Sequence, residues 1–252
     1  RWCGTYDNCF PIAKYIAGSK KRDILLTSAF KNLRNLNYKL HSLKPEDEKL
    51  LNEGKLLPLM EEFYTIQGEG YNTGKAAYFI RIGGCDVGCH WCDVKESWDA
   101  NIHPLTGIDV IVEHVQSYNA KSVVVTGGEP LIYNLNALTQ VLKNKSIETY
   151  IETSGAYELS GEWDWICLSP KKTMPPLEKI YQEANELKVI VFNQHDFKWA
   201  EELAQKVNPE CYLYLQPEWS KRTEVLPKIV DYVKVHPKWM VSLQSHKYMN
   251  IP

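Results

Sequence analysis

The chain has 252 residues, 44% of them hydrophobic and with 8 Trp and 15 Tyr, enough to bury the core of one ordinary domain and carry an appendage. A net charge of −2 leaves no basic excess to mark a nucleic-acid or membrane-surface partner, and the longest apolar runs, such as "SVVVT", are strand-sized and too short to span a bilayer. Seven cysteines, three clustered and four scattered as Cys3, Cys9, Cys167 and Cys211, make no disulfide framework in a chain this large; with no visible signal peptide they point to a reducing cytoplasm.

Residues 1–56 read as an N-terminal extension. They hold the basic runs "KKRD" and "KNLRNLNYKL", an acidic, turn-like "KPEDEK", and Leu33, Leu36 and Leu40 at helical spacing. Cys3 and Cys9 have no His neighbours and are weak metal candidates. From residue 57 to 252 the pattern is regular and reads as one core domain. "AYFIRI" (77–82), "SVVVT" (122–126), "TYIET" (149–153), "WICLS" (165–169), "LKVIVF" (187–192) and "YLYLQP" (212–217) predict buried strands, with "WMVSLQ" (239–244) a further candidate. Helical faces fall between them: Ile108, Ile111, Val112 and Val115; Leu135, Leu138, Val141 and Leu142; Trp199, Leu203 and Val207; Leu226, Ile229, Val230 and Val233. Alternating strands and helices predict an α/β fold with a mainly parallel sheet. Cys167 in "WICLS" and Cys211 in "ECYLYL" read as small buried hydrophobes.

In such sheets chemistry gathers beyond the carboxyl ends of the strands. "RIGGC", "TGGEP", "ETSG", "SPK" and "QP" each follow a predicted strand, so five strand ends are expected to converge on one pocket. The first runs into "GGCDVGCHWCD", which sets Cys85, Cys89 and Cys92 close together with His90 between two of them. Two readings are open here. A zinc ion would take the three thiolates and His90, although no second ligand pair at zinc-finger spacing is present. A cubane iron–sulfur cluster would take three thiolates and keep one iron open for chemistry, with Gly83, Gly84 and Gly88 letting the loop wrap it.

The spacing Cys85-x3-Cys89-x2-Cys92, with "TGGEP" ending the next strand, resembles the radical S-adenosylmethionine superfamily. Within it, "FYTIQGEGYNTGKAAYFIRIGGCDVGCHWCD" is similar to the opening of the 7-carboxy-7-deazaguanine synthase family, and "TGGEP", "ETSG", "SPK", "LQP" and the final Pro252 stand where that family has them. The resemblance covers residues 58–252. It implies a partial (truncated) β/α barrel, a 4Fe-4S cluster, S-adenosyl-L-methionine, Mg2+, and a carbon–nitrogen lyase of the queuosine and tRNA-modification pathway. The substrate implied is 6-carboxy-5,6,7,8-tetrahydropterin, converted with loss of ammonia to 7-carboxy-7-deazaguanine. Also implied are an external flavodoxin- or ferredoxin-type electron donor and a homodimer, with no nucleic-acid or membrane partner.

The resemblance also assigns roles. Cys85, Cys89 and Cys92 would ligate the cluster. Trp91, Cys92, Asp93, Gly128, Ser169, Pro170, Lys171 and Gln216 would meet the adenosyl cofactor. Ile66, Gln67, Gly68, Glu69, Arg81, Thr126 and Pro252 would line the pterin, Arg81 as a planar cation for its carboxylate and Pro252 through its terminal carboxylate. No side chain is expected to be a catalytic acid or base, because the radical arises on the cofactor. One departure stands out: where relatives carry a Thr or Ser hydroxyl for Mg2+, this chain has Val94, which offers a hard cation no oxygen. The rival readings are a radical activase acting on a partner protein and a non-catalytic zinc-binding interaction module.

Overall fold

Strand β1 (Leu56–Ile66) serves two partners. Its first residues pair antiparallel with β3 (Leu105–Gly107), and after an irregularity between Leu59 and Glu61 the rest pairs antiparallel with β2 (Ala76–Ile82). The computed structural model describes residues 40–252; the expectations placed on Cys3, Cys9, Leu33 and Leu36 lie outside that range. From β2 onward every pairing is parallel: β4 (Ser122–Gly127), β5 (Glu148–Thr153), β6 (Trp165–Leu168), β7 (Glu186–Val191), β8 (Tyr212–Pro217) and β9 (Trp239–Val241) follow in order. The nine strands form one open sheet, β3-β1-β2-β4-β5-β6-β7-β8-β9. This is the partial barrel expected from the sequence.

Helix α1 (Pro45–Asn52) precedes β1; α2 (Ile108–Ser117), α3 (Asn136–Asn144), α4 (Glu178–Glu183), α5 (His195–Ala204) and α6 (Arg222–Val235) lie between strands; α7 (Ser245–Met249) follows β9. The acidic patch "KPEDEK" is not a turn. It starts α1, where Pro45 tolerates the first helical position and Glu46, Asp47 and Glu48 complement the helix dipole. The face of α6 is also shifted from the expected one: Val225 and Ile229 are buried and Val230 is exposed, so the stripe begins one residue earlier than Leu226. Val207 packs on the core from beyond the end of α5.

The period-two alternation of the strands separates core from chemistry. Val123 and Val125 of β4, Ile151 of β5, Leu187, Val189 and Val191 of β7 and Leu215 of β8 join one apolar cluster with Ile111, Val115, Leu138, Leu142, Ala200, Leu203 and Ile229 of the helices. The alternate residues, Thr126, Glu152, Cys167, Glu186, Lys188 and Gln216, belong to the other face of the sheet and line its cavities. No helix among the described residues is long and apolar enough to cross a membrane.

Candidate functional site

The loop after β2 carries the three clustered cysteines, and other strand ends fix it in place. Gly84 N–H donates to the Ser97 carbonyl (2.6 Å) and Cys85 N–H to the Trp98 carbonyl (3.2 Å). Thr173 Oγ1 donates to the Val87 carbonyl (2.8 Å), tying the loop to the segment after β6. Gly127, at the end of β4, has φ +125°, and a Cβ there would run into the Ile82 backbone. Gly128 presses as closely on the Gly84 carbonyl, so "TGG" lies directly against "GGC" with no room for side chains between them.

Cys85, Cys89 and Cys92 line one cavity of about 210 Å³. None is in a disulfide. Burial pushes the Cys85 thiol up to about 12 and raises Cys89 as well, against the pull of the Lys171 ammonium, so both stay protonated until a strong electrophile displaces the proton. Among the described residues no three His, Cys, Asp or Glu side chains converge as ligands of a single ion. His90 does not line the cavity. It is exposed, with its ring edge-on to Phe192 and Trp91. Three thiols spread around one cavity suit a polynuclear cluster, in which each thiolate takes its own iron, better than a tetrahedral zinc site.

The residues expected to meet the adenosyl cofactor gather in the same place. Trp91, Asp93, Gly128, Ser169, Lys171 and Gln216 line the cysteine cavity, while Pro170 lines an adjoining one with Lys171, Trp91 and Cys89. Lys171 Nζ donates to Ser169 Oγ (2.8 Å) and lies 5.7 Å from the Trp91 ring centre; burial lowers its pKa. Gln216 is committed elsewhere, its Oε1 accepting from Ser242 Oγ at 2.6 Å.

A second cavity, of about 190 Å³, brings together Ile66, Gln67, Gly68, Glu69, Arg81, Thr126 and Pro252, all seven residues expected to line the pterin. Thr65 Oγ1 donates to the Pro252 carbonyl (3.4 Å). Val94 is also on its wall. Asp93, Thr126, Gly127, Glu69, Glu152 and Gln244 border both cavities, so the two are adjoining chambers with a common rim.

Several residues in or beside the two chambers received no role from the sequence. Glu129 of "TGGEP" is 1% exposed; it accepts from Leu131 N (3.1 Å), Thr153 Oγ1 (2.6 Å), Ser154 N (2.8 Å) and Ser154 Oγ, locking the loop after β4 to that after β5. Lys188 donates to Glu69 Oε2 (2.6 Å) and Glu152 Oε2 (2.7 Å). A lysine inside the apolar run "ELKVIVF" was the available signal, since a buried charge needs a partner. Gln244 and His246 belong to the segment around α7, whose Lys247 bonds Asp93 at 2.6 Å. Burial lowers the His246 pKa, helped by Lys247 and Arg81 and opposed by Glu69 and Asp93.

A family model described as the Radical SAM superfamily matches residues 79–193. The 7-carboxy-7-deazaguanine synthase of Flavobacterium psychrophilum is 62% identical over 210 residues, covering 83% of this chain and 100% of the relative. The protein of that name from Synechocystis is 47% identical over 195 residues, covering 77% of this chain and 93% of the relative. Among solved structures, the crystal structure of QueE from Escherichia coli superposes with a TM-score of 0.68 at 30% identity, covering 81% of this chain and 100% of that one.

Proposed function

Because this chain belongs to the 7-carboxy-7-deazaguanine synthase family within the radical S-adenosylmethionine superfamily, we propose that it converts 6-carboxy-5,6,7,8-tetrahydropterin to 7-carboxy-7-deazaguanine with loss of ammonia. The observation that supports this most is the pair of adjoining chambers, one lined by three thiols and one by Arg81, Gln67 and Glu69, meeting at Thr126 and Asp93. Cys85, Cys89 and Cys92 would hold a 4Fe-4S cluster, and among the described residues neither a fourth cysteine nor His90 reaches that cavity, which leaves one iron for S-adenosylmethionine. Once bound, cluster and cofactor together supply a one-electron hydrogen abstraction from a carbon of the pterin.

The chain's own residues bind, orient and exclude water. Trp91 and Lys171 give the adenosyl group an aromatic face and a cation; Gly128 admits the methionine end because it has no side chain to obstruct the approach. Arg81 offers the substrate carboxylate its guanidinium fork. Gln67, Glu69 and Glu152 present amide and carboxylate groups that match the mixed donor and acceptor edge of a pterin. Thr126, on the common rim, offers a hydroxyl. The hydrocarbon side chain of Val94 gives a divalent cation no oxygen, and nothing in this reading requires a protein ligand to Mg2+. The electron comes from an external one-electron donor of flavodoxin or ferredoxin type.

Anaerobic incubation of the iron-reconstituted protein with S-adenosylmethionine, reductant and the carboxypterin, followed by mass spectrometry, tests the reading. The expected product has the mass of 7-carboxy-7-deazaguanine. A protein that holds about four irons and cleaves the cofactor but leaves the pterin unchanged refutes the substrate; a colourless protein with one zinc refutes the enzyme.

A further inference from the structure

Lys188 is the only buried lysine among the described residues, 3% exposed on the inner face of β7. Its ammonium sits between two carboxylates from different parts of the chain, Glu69 of the loop after β1 and Glu152 of β5, at 2.6 and 2.7 Å. The other oxygen of each carboxylate is also held: Glu69 Oε1 accepts from Gln244 Nε2 (3.0 Å) and Glu152 Oε1 from Gln67 Nε2 (3.2 Å). The result is a continuous chain, Gln67–Glu152–Lys188–Glu69–Gln244, across the junction of the two chambers, and every member except Lys188 borders the pterin chamber.

We propose that Lys188 is a positioning residue for the substrate, holding Glu69 and Glu152 as a fixed pair of anionic acceptors facing the nitrogen-rich edge of the pterin. The proposal rests on the functional reading above. An apolar residue would fill the inner face of β7 without the cost of burying an ammonium, so the cation is retained for what it does to its partners. Each carboxylate has about four lone-pair sites; Glu69 accepts from Lys188, Gln244 and Gln216, and Glu152 from Lys188 and Gln67, so both keep acceptor capacity for a ligand. Two carboxylates gathered at one site without a cation would share a proton, and the protonated member would turn a donor toward the substrate instead of an acceptor. The charges around the pair sharpen the effect. Glu186 on β7 and Cys167 on β6 also face Lys188, Lys171 adds a second cation at longer range, and His246 faces Glu69. Burial alone would raise the Glu69 pKa, but Lys188, with hydrogen bonds from Gln216 and Gln244, pulls it down to about 2.

The test compares wild type with Lys188→Met by anaerobic calorimetry between about pH 6 and pH 9, the range in which a carboxyl raised by a like-charged neighbour titrates. Iron content and S-adenosylmethionine affinity are expected to match wild type. Affinity for 6-carboxytetrahydropterin is expected to be pH-flat in wild type. In the variant it should fall at least about tenfold at the acid end and recover toward the alkaline end, where both carboxylates ionise. Wild-type pterin affinity in the variant at every pH overturns the proposal. So does a loss that is equal at every pH, which would place Lys188 on the substrate itself, or a parallel loss of cofactor affinity and iron, which would make it a structural ion. If Lys188→Met does not fold, Lys188→Met/Glu69→Gln, which removes one charge of each sign, is expected to bind cofactor normally and pterin weakly; full pterin affinity there overturns the proposal. Wild-type turnover in the same series separates the two claims. Its absence refutes the functional reading and this proposal with it, whereas normal turnover with unaltered Lys188→Met binding refutes the proposal alone.

Discussion

Arg81 and Thr126 are register partners on adjacent parallel strands, which places a guanidinium and a hydroxyl on the same wall of the pterin chamber. Arg81 Nε is 3.1 Å from Glu61 Oε1, without hydrogen-bond alignment, and the guanidinium lies 5.7 Å from the Phe63 ring centre. Arg81→Lys keeps the charge and loses the planar fork. It is expected to weaken binding of the carboxypterin about tenfold or more with S-adenosylmethionine binding unchanged, as read by calorimetry. Equal pterin affinity would make Arg81 a structural partner of Glu61 and Phe63.

The cysteines divide by surroundings. Cys85 lines the cofactor cavity, whereas Cys211 is buried in the apolar cluster. Cys85→Ala should abolish turnover and leave little bound iron, while Cys211→Ala should keep both and lose about 1 kcal/mol of stability from the small cavity created. Iron analysis and visible absorbance after anaerobic reconstitution give the answer.

Glu129 is a joint, with four donors pointing at its carboxylate. Glu129→Ala leaves buried N–H and O–H groups without partners, at a cost of about 3 kcal/mol or more. The cluster-free protein should show it as a lowered urea midpoint, and a midpoint equal to wild type would mean that the two loops hold each other by packing alone.

Those three sites were legible to different degrees, for physical reasons. Strands such as "SVVVT" are apolar on both faces, and "TGGEP" at the end of one places chemistry without any knowledge of three-dimensional contacts. Strand β1 was missed because Pro58, Glu61 and Glu62 interrupt its alternation, and what holds it is pairing with two different partners. The helix at Pro45–Asn52 was obscured because its acidic first turn resembles a charged turn. The roles of Glu152, Glu129 and Lys188 were hidden because each depends on a partner far away in sequence: Lys188 and Glu69 are 119 residues apart. Spacing locates ligands that share a loop, and it carries no information on pairs that only the sheet brings together.

Stability toward acid follows from Glu69. Its folded pKa, about 2, lies below the 4.5 of an ordinary glutamate, so the stabilisation is complete above about pH 4.5 and is lost as pH falls toward about 2. The contribution is on the order of 3 kcal/mol. Urea midpoints of the cluster-free protein should fall across that window, and Glu69→Gln should flatten the fall. An unchanged slope in the variant would show that other carboxylates carry the acid sensitivity.

The claim of two adjoining chambers is tested most directly by an anaerobic crystal structure of the reconstituted protein with S-adenosylmethionine and 6-carboxytetrahydropterin. The account predicts a cluster on Cys85, Cys89 and Cys92, the adenosyl group between Trp91 and Lys171, and the pterin against Gln67, Glu69 and Arg81, with Thr126 at the boundary between the ligands. Pterin density in the cysteine-lined chamber, or a single metal ion held by the three thiols and His90, would contradict it.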